Sequence, residues 1–219
     1  MEFIEGMKIE KVVFFGDSIT KGTYSVPGDP MPMAIAEPNF ASLVQRGLGA
    51  ETLVNYGCNG ISYSPASPVN GEYSLVCTCA DGECGDMIFL AAGTNDYGTS
   101  VPLGKAGDIS EYTFYGAVGR VFGILRQKNP EAPVWVLLPI PRLGEELKNE
   151  AGCCLEDYRK ALEESAERYD FGVIDGRRLN IHPENPRDKE RYIYDGTHIN
   201  EAGHALLARL ILQTVKKAK

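Results

Sequence analysis

The chain has 219 residues, 43% of them hydrophobic, a formal net charge of −8 at pH 7 and a pI near 5.0. This size predicts one domain over residues 1–219, and the acidic charge argues against a nucleic-acid partner, because phosphate-binding surfaces need clustered Lys and Arg. No apolar run approaches the ~18 residues that cross a bilayer, so no stable membrane insertion is predicted.

Short apolar strands alternate with helices along the chain. The predicted elements are a strand at Ile9–Phe15, a helix at Pro38–Leu48, strands at Glu51–Tyr56 and Asp86–Ala92, a helix at about Ser110–Asn129, a strand at Pro133–Leu138, a helix at about Glu150–Tyr169, a strand at Phe171–Asp175 and a last helix that begins near Asn200. Strands that alternate with helices of ten or more residues predict crossover connections and a parallel sheet covered on both faces. The pattern therefore predicts an α/β fold with three α/β/α layers, in which a five-stranded parallel sheet has a flavodoxin-like arrangement.

Polar residues follow the predicted strands where each strand ends. Ser18 follows the first strand, Gly60 follows the second and Asn95 follows the third, while Asp195 and His198 precede the last helix. Parallel sheets bind ligands at this carboxyl edge. A serine nucleophile needs a base, an acid that orients the base, and donors for an oxyanion. Ser18 alone is typical of a turn or a helix cap, but the five residues together predict a hydrolytic site.

These segments resemble the sequence blocks of the GDSL-type, or SGNH, hydrolase family. Gly16-Asp17-Ser18-Ile19 resembles the first block, with Ile in place of Leu, and Asn55-x-Gly57-x-x-Gly60 resembles the second. Gly93-Thr94-Asn95-Asp96 and Asp195-x-x-His198 resemble the third and the last. The resemblance spans nearly the whole chain, and it implies the SGNH hydrolase fold and a serine esterase that forms an acyl-enzyme.

The resemblance also implies roles for particular residues. Ser18 is implied as the nucleophile, His198 as the base, and Asp195 as the acid that holds the imidazole. The oxyanion hole is implied to combine the backbone N–H groups of Ser18 and Gly60 with the side-chain amide of Asn95.

Other polar residues near these blocks have expected structural or binding roles. Asp17 is interpreted as a turn residue, and Asp96 is expected to form hydrogen bonds within its own loop. Tyr24, Tyr97 and Arg142 are expected to line the site, because each lies in a loop that leaves a strand's carboxyl end. His182 is interpreted as a loop residue, and His204 as a packed or surface residue of the last helix.

The cysteines and the N-terminus bear on cofactors and location. Cys77, Cys79 and Cys84 could be three zinc ligands, but no fourth is obvious, so packed thiols are favoured and neither a metal nor another cofactor is predicted. Neither the chain length nor the cysteine spacing suggests a disulfide-framed secreted domain. Residues 1–6 lack the features of a signal peptide, so a cytoplasmic protein is expected unless a signal has been removed.

The same residues offer less support for other classes of protein. The chain lacks the G-x-S-x-G pentapeptide of α/β-hydrolases and the glycine-rich loops of nucleotide binders. A non-catalytic carbohydrate-binding module is the alternative outside the enzyme class. The expected partner is a small-molecule ester, preferably a short-chain ester or an acetylated saccharide, because no amphipathic lid is evident. Met31, Met33 and Ile35 offer an apolar wall, which keeps a lipase, lysophospholipase or acyl thioesterase as the alternative.

Overall fold

Five parallel strands form the central sheet of the computed structural model, which describes residues 8–69 and 73–217. The N-terminal segment on which the compartment prediction rests lies outside these residues. The strands are β1 (Lys11–Gly16), β2 (Thr23–Val26), β3 (Asp29–Ile35), β4 (Thr52–Gly57), β5 (Met87–Ala91), β6 (Val134–Leu137) and β7 (Gly172–Ile174). The helices are α1 (Ser18–Lys21), α2 (Phe40–Leu48), α3 (Leu75–Asp81), α4 (Thr94–Gly98), α5 (Phe114–Lys128), α6 (Leu155–Arg168), α7 (Pro186–Tyr192) and α8 (Glu201–Val215), with a 3₁₀ turn at Gly176–Leu179.

The sheet has the strand order β4-β1-β5-β6-β7, and all of its neighbouring pairs are parallel. Counted along the chain, this is the 2-1-3-4-5 order of flavodoxin-like folds, in which ligands bind outside the carboxyl ends of the strands. Gly16, the last residue of β1, lies beside Gly57 of β4 and Ala91 of β5, so the three strands end together. The predicted α/β fold and its SGNH-type arrangement are confirmed.

The residues of β1 alternate between two buried faces, as expected for a strand covered on both sides. Val13 and Phe15 pack with α3, α5 and α6 on one face. Val12 and Phe14 pack with α2 and α8 on the other. Burial on both faces explains why β1 reads as an almost continuous apolar run, and it holds the polar residues that follow β1 at the rim of the sheet.

Two predicted helices begin later than the sequence indicated. α5 begins at Phe114 because the Thr113 hydroxyl caps it by accepting a hydrogen bond from the Gly116 N–H. Tyr112 therefore lies outside the helix and is 60% exposed. α6 begins at Leu155, where Asp157 accepts a hydrogen bond from the Cys154 N–H. In both places a local capping contact, rather than apolar spacing, decides where the helix begins.

The segment between α1 and α2 forms an antiparallel hairpin that the sequence did not predict. Among the residues that the structure describes, strands β2 and β3 pair only with each other, with Ser25 opposite Met33. Pro30 and Pro32 argue against a strand in the sequence. In a two-stranded ribbon each strand has an unpaired edge, so a residue without an N–H group costs no ladder bond on that edge.

Two further features bear on membrane and metal binding. Within the described part of the chain, no helix is both long and apolar enough to cross a membrane. The cysteines of the described residues form no disulfide bonds with one another. Across residues 8–69 and 73–217, no group of three or more His, Cys, Asp or Glu side chains is arranged to hold a metal ion.

Candidate active site

Ser18 occupies the first position of α1, directly after β1. The helix is capped by Asp17, whose Oδ1 accepts a hydrogen bond of 2.9 Å from the Ile19 N–H. This buried carboxylate therefore has the turn-stabilising role expected of it. Burial raises the pKa of Asp17 to about 6, although hydrogen bonds from the backbone oppose the change.

Neighbouring strands hold α1 in place. Asn55 on β4 donates a hydrogen bond of 2.9 Å from Nδ2 to the Thr20 carbonyl oxygen. The Thr20 hydroxyl donates to the carbonyl oxygen of Ala91 at the end of β5, at 3.1 Å. Ser18 is consequently fixed where β1, β4 and β5 end, and the residue is only 4% exposed.

His198 lies against Ser18 although 180 positions separate them in the chain. Ser18 Oγ is 2.8 Å from His198 Nε2, and His198 Nδ1 is 2.7 Å from Asp195 Oδ2. An ionised carboxylate only accepts hydrogen bonds, so Nδ1 carries the proton and Nε2 is left to accept the Ser18 hydroxyl proton. The three residues form a continuous chain of hydrogen bonds that can carry a proton away from Ser18.

Asp195 is held by hydrogen bonds to both of its oxygens. Oδ1 accepts from the Thr197 and His198 N–H groups, at 2.8 and 2.7 Å. Oδ2 accepts from His198 Nδ1 and also from the Ser25 hydroxyl, at 2.7 Å each. Burial opposes the charged form, but the hydrogen bonds from His198 and Ser25 outweigh it and hold the pKa of Asp195 below its usual range. The carboxylate is therefore ionised wherever His198 can act as a base.

The turn after β4 carries the second predicted oxyanion donor. The Cys58 N–H donates to the Gly16 carbonyl oxygen at 3.0 Å, which ties the turn to the end of β1. Gly60 has a φ of 74°, in the left-handed region that glycine adopts without strain. Gly57 is needed for a different reason, because a Cβ there would lie 2.3 Å from the Lys21 backbone nitrogen.

Asn95 lies in α4, directly after β5. Its Nδ2 donates a hydrogen bond of 2.9 Å to the Ile61 carbonyl oxygen, one residue beyond Gly60. A primary amide has two N–H groups, so this bond leaves the second one for a ligand. The Ser18 N–H has no partner within its helix, because it belongs to the first residue of α1. This edge of the sheet thus brings together the donor types that an oxyanion hole needs.

Asp96 departs from the expectation that it bonds within its own loop. Its carboxylate accepts hydrogen bonds from the Tyr63 and Ser64 N–H groups, at 3.0 and 3.1 Å, and these residues lie 33 and 32 positions away in the chain. The prediction was wrong because α4 aims the side chain away from its own loop, toward the segment that follows Gly60. Burial raises the pKa of Asp96 to about 7.

The three residues expected to line the site differ in their hydrogen-bond partners. The Tyr97 ring is buried, and its hydroxyl is 2.7 Å from the Gly144 carbonyl oxygen. Arg142 Nη1 donates to the Thr94 carbonyl oxygen and hydroxyl, at 3.1 and 3.0 Å, and its guanidinium carbon lies 5.4 Å from the centre of the Tyr97 ring. The Tyr24 hydroxyl donates to Glu201 Oε1. The Tyr97 ring therefore packs against the Arg142 guanidinium.

The two remaining histidines lie outside this network. His182 is exposed, and its backbone N–H donates to Asp188. His204 is fully buried in α8, stacks on Phe40 and accepts a hydrogen bond of 3.3 Å from the Phe40 N–H. Burial lowers the pKa of His204 to about 4, so this imidazole is neutral and packed.

Comparison with known proteins shows the family of the chain. The model of the GDSL-like lipase/acylhydrolase family matches residues 14–206. The chain belongs to this family, and it is a carboxylic ester hydrolase. No curated protein sequence matches the chain closely enough to count as a relative.

Solved structures share the fold at low sequence identity. A protein from Lactobacillus plantarum is 23% identical and has a TM-score of 0.80, with 97% of this chain and 99% of that chain covered. A carbohydrate acetylesterase from Sinorhizobium meliloti is 17% identical, with a TM-score of 0.67 and coverage of 96% and 100%. The aryl esterase of M. smegmatis is 21% identical, with a TM-score of 0.66 and coverage of 96% and 100%.

Proposed function

We propose that this protein hydrolyses small carboxylic esters through an acyl-enzyme on Ser18, with His198 as general base and Asp195 as its orienting acid. The observation that carries the proposal is the unbroken pair of hydrogen bonds from Ser18 Oγ to His198 Nε2, at 2.8 Å, and from His198 Nδ1 to Asp195 Oδ2, at 2.7 Å. These bonds align a nucleophile, a base and an acid at the sheet edge where such folds bind ligands.

In the proposed reaction, Ser18 Oγ attacks the ester carbonyl carbon while its proton passes to His198 Nε2. Negative charge develops on the former carbonyl oxygen, which accepts hydrogen bonds from the Ser18 N–H, the Gly60 N–H and Asn95 Nδ2. The intermediate collapses, the alkoxide takes the proton from His198, and the alcohol leaves an acyl-Ser18 ester. A water molecule then attacks this ester, with His198 again accepting and returning the proton, so that the acid is released and the Ser18 hydroxyl is restored.

The proposed substrates are short-chain esters, including O-acetyl groups on carbohydrates. The segment after α1 is a hairpin, not an amphipathic lid helix, and this favours a substrate that needs no lipid surface. The carbohydrate acetylesterase from Sinorhizobium meliloti has the same fold and is consistent with this choice. Within the set expected to line the site, Arg142 and Tyr24 are proposed to face the substrate, with Tyr97 behind Arg142.

A lipase, lysophospholipase or thioesterase is the second candidate. Met33 and Ile35 on β3 are 43% and 42% exposed, which leaves apolar surface on the hairpin that follows Ser18. The side chain of Met31, the third residue of the expected apolar wall, lies outside what the structure describes. Longer acyl chains gain burial free energy on such a surface, at roughly 0.8 kcal/mol for each CH₂.

Hydrolysis of p-nitrophenyl esters from acetate to dodecanoate tests both candidates. We expect kcat/KM to be highest for acetate or butyrate, and Ser18→Ala and His198→Ala to abolish turnover while circular dichroism stays unchanged. Activity that survives Ser18→Ala would overturn the mechanism. A kcat/KM that rises steadily with acyl length would replace the short-chain esterase with the second candidate. Release of acetate from an acetylated xylooligosaccharide then distinguishes carbohydrate esters from aryl esters.

A further inference from the structure

The hydroxyl of Ser25 lies 2.7 Å from Oδ2 of Asp195, the same carboxylate oxygen that binds His198 Nδ1. We propose that Ser25 is a positioning residue of the reaction, which acts through Asp195 to hold the imidazole of His198 in line with Ser18. This inference rests on the proposed function. It adds a fourth member to the hydrogen-bonded chain, from an element that carries none of the family's sequence blocks.

The origin of each contact shows what Ser25 adds. The other groups that bind Asp195 are the Thr197 N–H, the His198 N–H and the His198 ring, all within three residues of it in the chain. Within the described part of the chain, the Ser25 hydroxyl is the hydrogen-bond donor that reaches this carboxylate from a distant element, 170 positions away. The local contacts fix Asp195 relative to its own turn, whereas Ser25 fixes that turn relative to the rest of the site.

The hairpin that carries Ser25 is itself attached on both sides of the site. Thr23 donates a hydrogen bond of 2.9 Å from its hydroxyl to Asn59 Oδ1, in the turn that contains Gly60. The Tyr24 hydroxyl donates to Glu201, at the start of α8. β2 therefore bridges the turn of a proposed oxyanion donor and the region of the base, and Ser25 directly follows the two residues that make these attachments.

Removing this hydroxyl leaves Asp195 Oδ2 with one hydrogen bond fewer while the carboxylate stays ionised. The carboxylate then has freedom to rotate about its own side chain, so the imidazole spends less time aligned with Ser18. A hydrogen bond to a charged group is typically worth enough to change a rate by about tenfold. Because Asp195 does not contact the ester, the loss is expected in kcat and not in KM.

The experiment compares Ser25→Val with Ser25→Thr in the full chain. Val and Thr have nearly the same shape and both suit a strand. They differ in one group, which is a methyl in Val and a hydroxyl in Thr. With p-nitrophenyl acetate, Ser25→Val is expected to lower kcat about tenfold at an unchanged KM, and Ser25→Thr to retain at least half of the wild-type kcat. The far-downfield proton resonance of the His198 Nδ1–H is expected to shift in Ser25→Val and to return in Ser25→Thr.

Two outcomes would overturn the inference. Equal kcat in Ser25→Val and Ser25→Thr would show that the hydroxyl has no role, and a rise in KM at constant kcat would make Ser25 a substrate contact instead. If Ser25→Val does not fold, Ser25→Ala takes its place in the same comparison. Failure of the proposed function is recognised separately, by the activity of the wild type and of Ser18→Ala. If the wild type is active and Ser18→Ala is not, the serine mechanism is upheld whatever the Ser25 variants show.

Discussion

The side-chain amide of Asn95 donates a hydrogen bond of 2.9 Å to the Ile61 carbonyl oxygen. This contact joins the loop after β5 to the turn after β4, so two proposed oxyanion donors, Gly60 and Asn95, are held in one relative position. Asp96 strengthens the same junction, because its carboxylate binds the Tyr63 and Ser64 N–H groups. Donors held in place before the substrate arrives need no reorganisation when charge develops.

Asn95→Ala is expected to lower kcat by ~10²–10³ for p-nitrophenyl acetate, as loss of one oxyanion donor typically does. It also leaves the Ile61 carbonyl oxygen without its partner, at a cost of about 1–3 kcal/mol in the free energy of unfolding. Steady-state kinetics and urea denaturation measure the two effects separately. A variant with normal kcat would remove Asn95 from the oxyanion hole.

Asp96→Asn is expected to change how stability depends on pH. The pKa of Asp96 is about 7 in the fold against an ordinary 3.8, so between these values the native state binds more protons than the unfolded state. Wild-type stability therefore falls as the pH rises through this window, by roughly 4 kcal/mol from this group. The neutral Asn does not undergo that loss. However, the Tyr63 and Ser64 N–H groups bind different carboxylate oxygens, and Asn replaces one of these oxygens with an NH₂ group that cannot accept a hydrogen bond.

The measurement is the free energy of unfolding of both proteins at pH 5 and at pH 8. Asp96→Asn is expected to be less stable than wild type at pH 5, and the difference is expected to shrink or reverse at pH 8. A difference that is constant between the two pH values would contradict the raised pKa of Asp96.

Gly57→Ala is expected to destabilise the protein and to displace the nucleophile. The added Cβ would lie 2.3 Å from the Lys21 backbone nitrogen and 2.7 Å from the Thr20 carbonyl carbon, and backbone cannot move aside as a side chain can. Forced overpacking of this kind costs about 1–3 kcal/mol, and the shift of α1 lowers kcat.

Gly119→Ala is the matched control for this prediction. Gly119 lies in α5, where an added Cβ meets no atom within 4 Å. This variant is expected to gain about 0.4–1 kcal/mol in stability, because Ala restricts the unfolded chain, and to keep wild-type kcat. Thermal unfolding and kinetics of both variants test the pair, and equal behaviour of the two would show that α1 can yield at Gly57.

Arg142→Gln is expected to raise KM for esters that carry a carboxylate. Arg142 Nη1 donates hydrogen bonds to Thr94, and these bonds fix the guanidinium over the Tyr97 ring. The remaining N–H donors of the guanidinium are left for a ligand. Loss of a hydrogen bond between charged groups corresponds to about a tenfold change in KM, with kcat little affected. The measurement compares KM for mono-p-nitrophenyl succinate with KM for p-nitrophenyl butyrate. Arg142→Lys is the control variant, because it keeps the positive charge and changes the geometry of the donors. Equal changes for both esters would mean that Arg142 does not select anionic substrates.

Much of this protein can be read from its sequence, because local patterns determine local features. The alternation of strands and helices predicted the layered α/β fold, since a strand buried on both faces must be apolar throughout. The residues at the strand ends and before the last helix made Ser18, Asn95, Asp195 and His198 the candidates for the site, because parallel strands present such residues at one edge. The positions where α5 and α6 begin were missed, because capping contacts override apolar spacing.

Contacts between distant elements could not be predicted from the sequence. Nothing in the sequence around Ser25 connects it to Asp195, because the bond depends on where a hairpin folds over a turn that lies 170 residues away. The hydrogen-bond partners of Asp96 could not be predicted for the same reason, because every residue except proline has a backbone N–H group and the sequence does not show which of them will lie near Asp96. The order of residues along the chain specifies which chemical groups lie at the sheet edge. Their orientation depends on hydrogen bonds between loops that are brought together only when the chain folds.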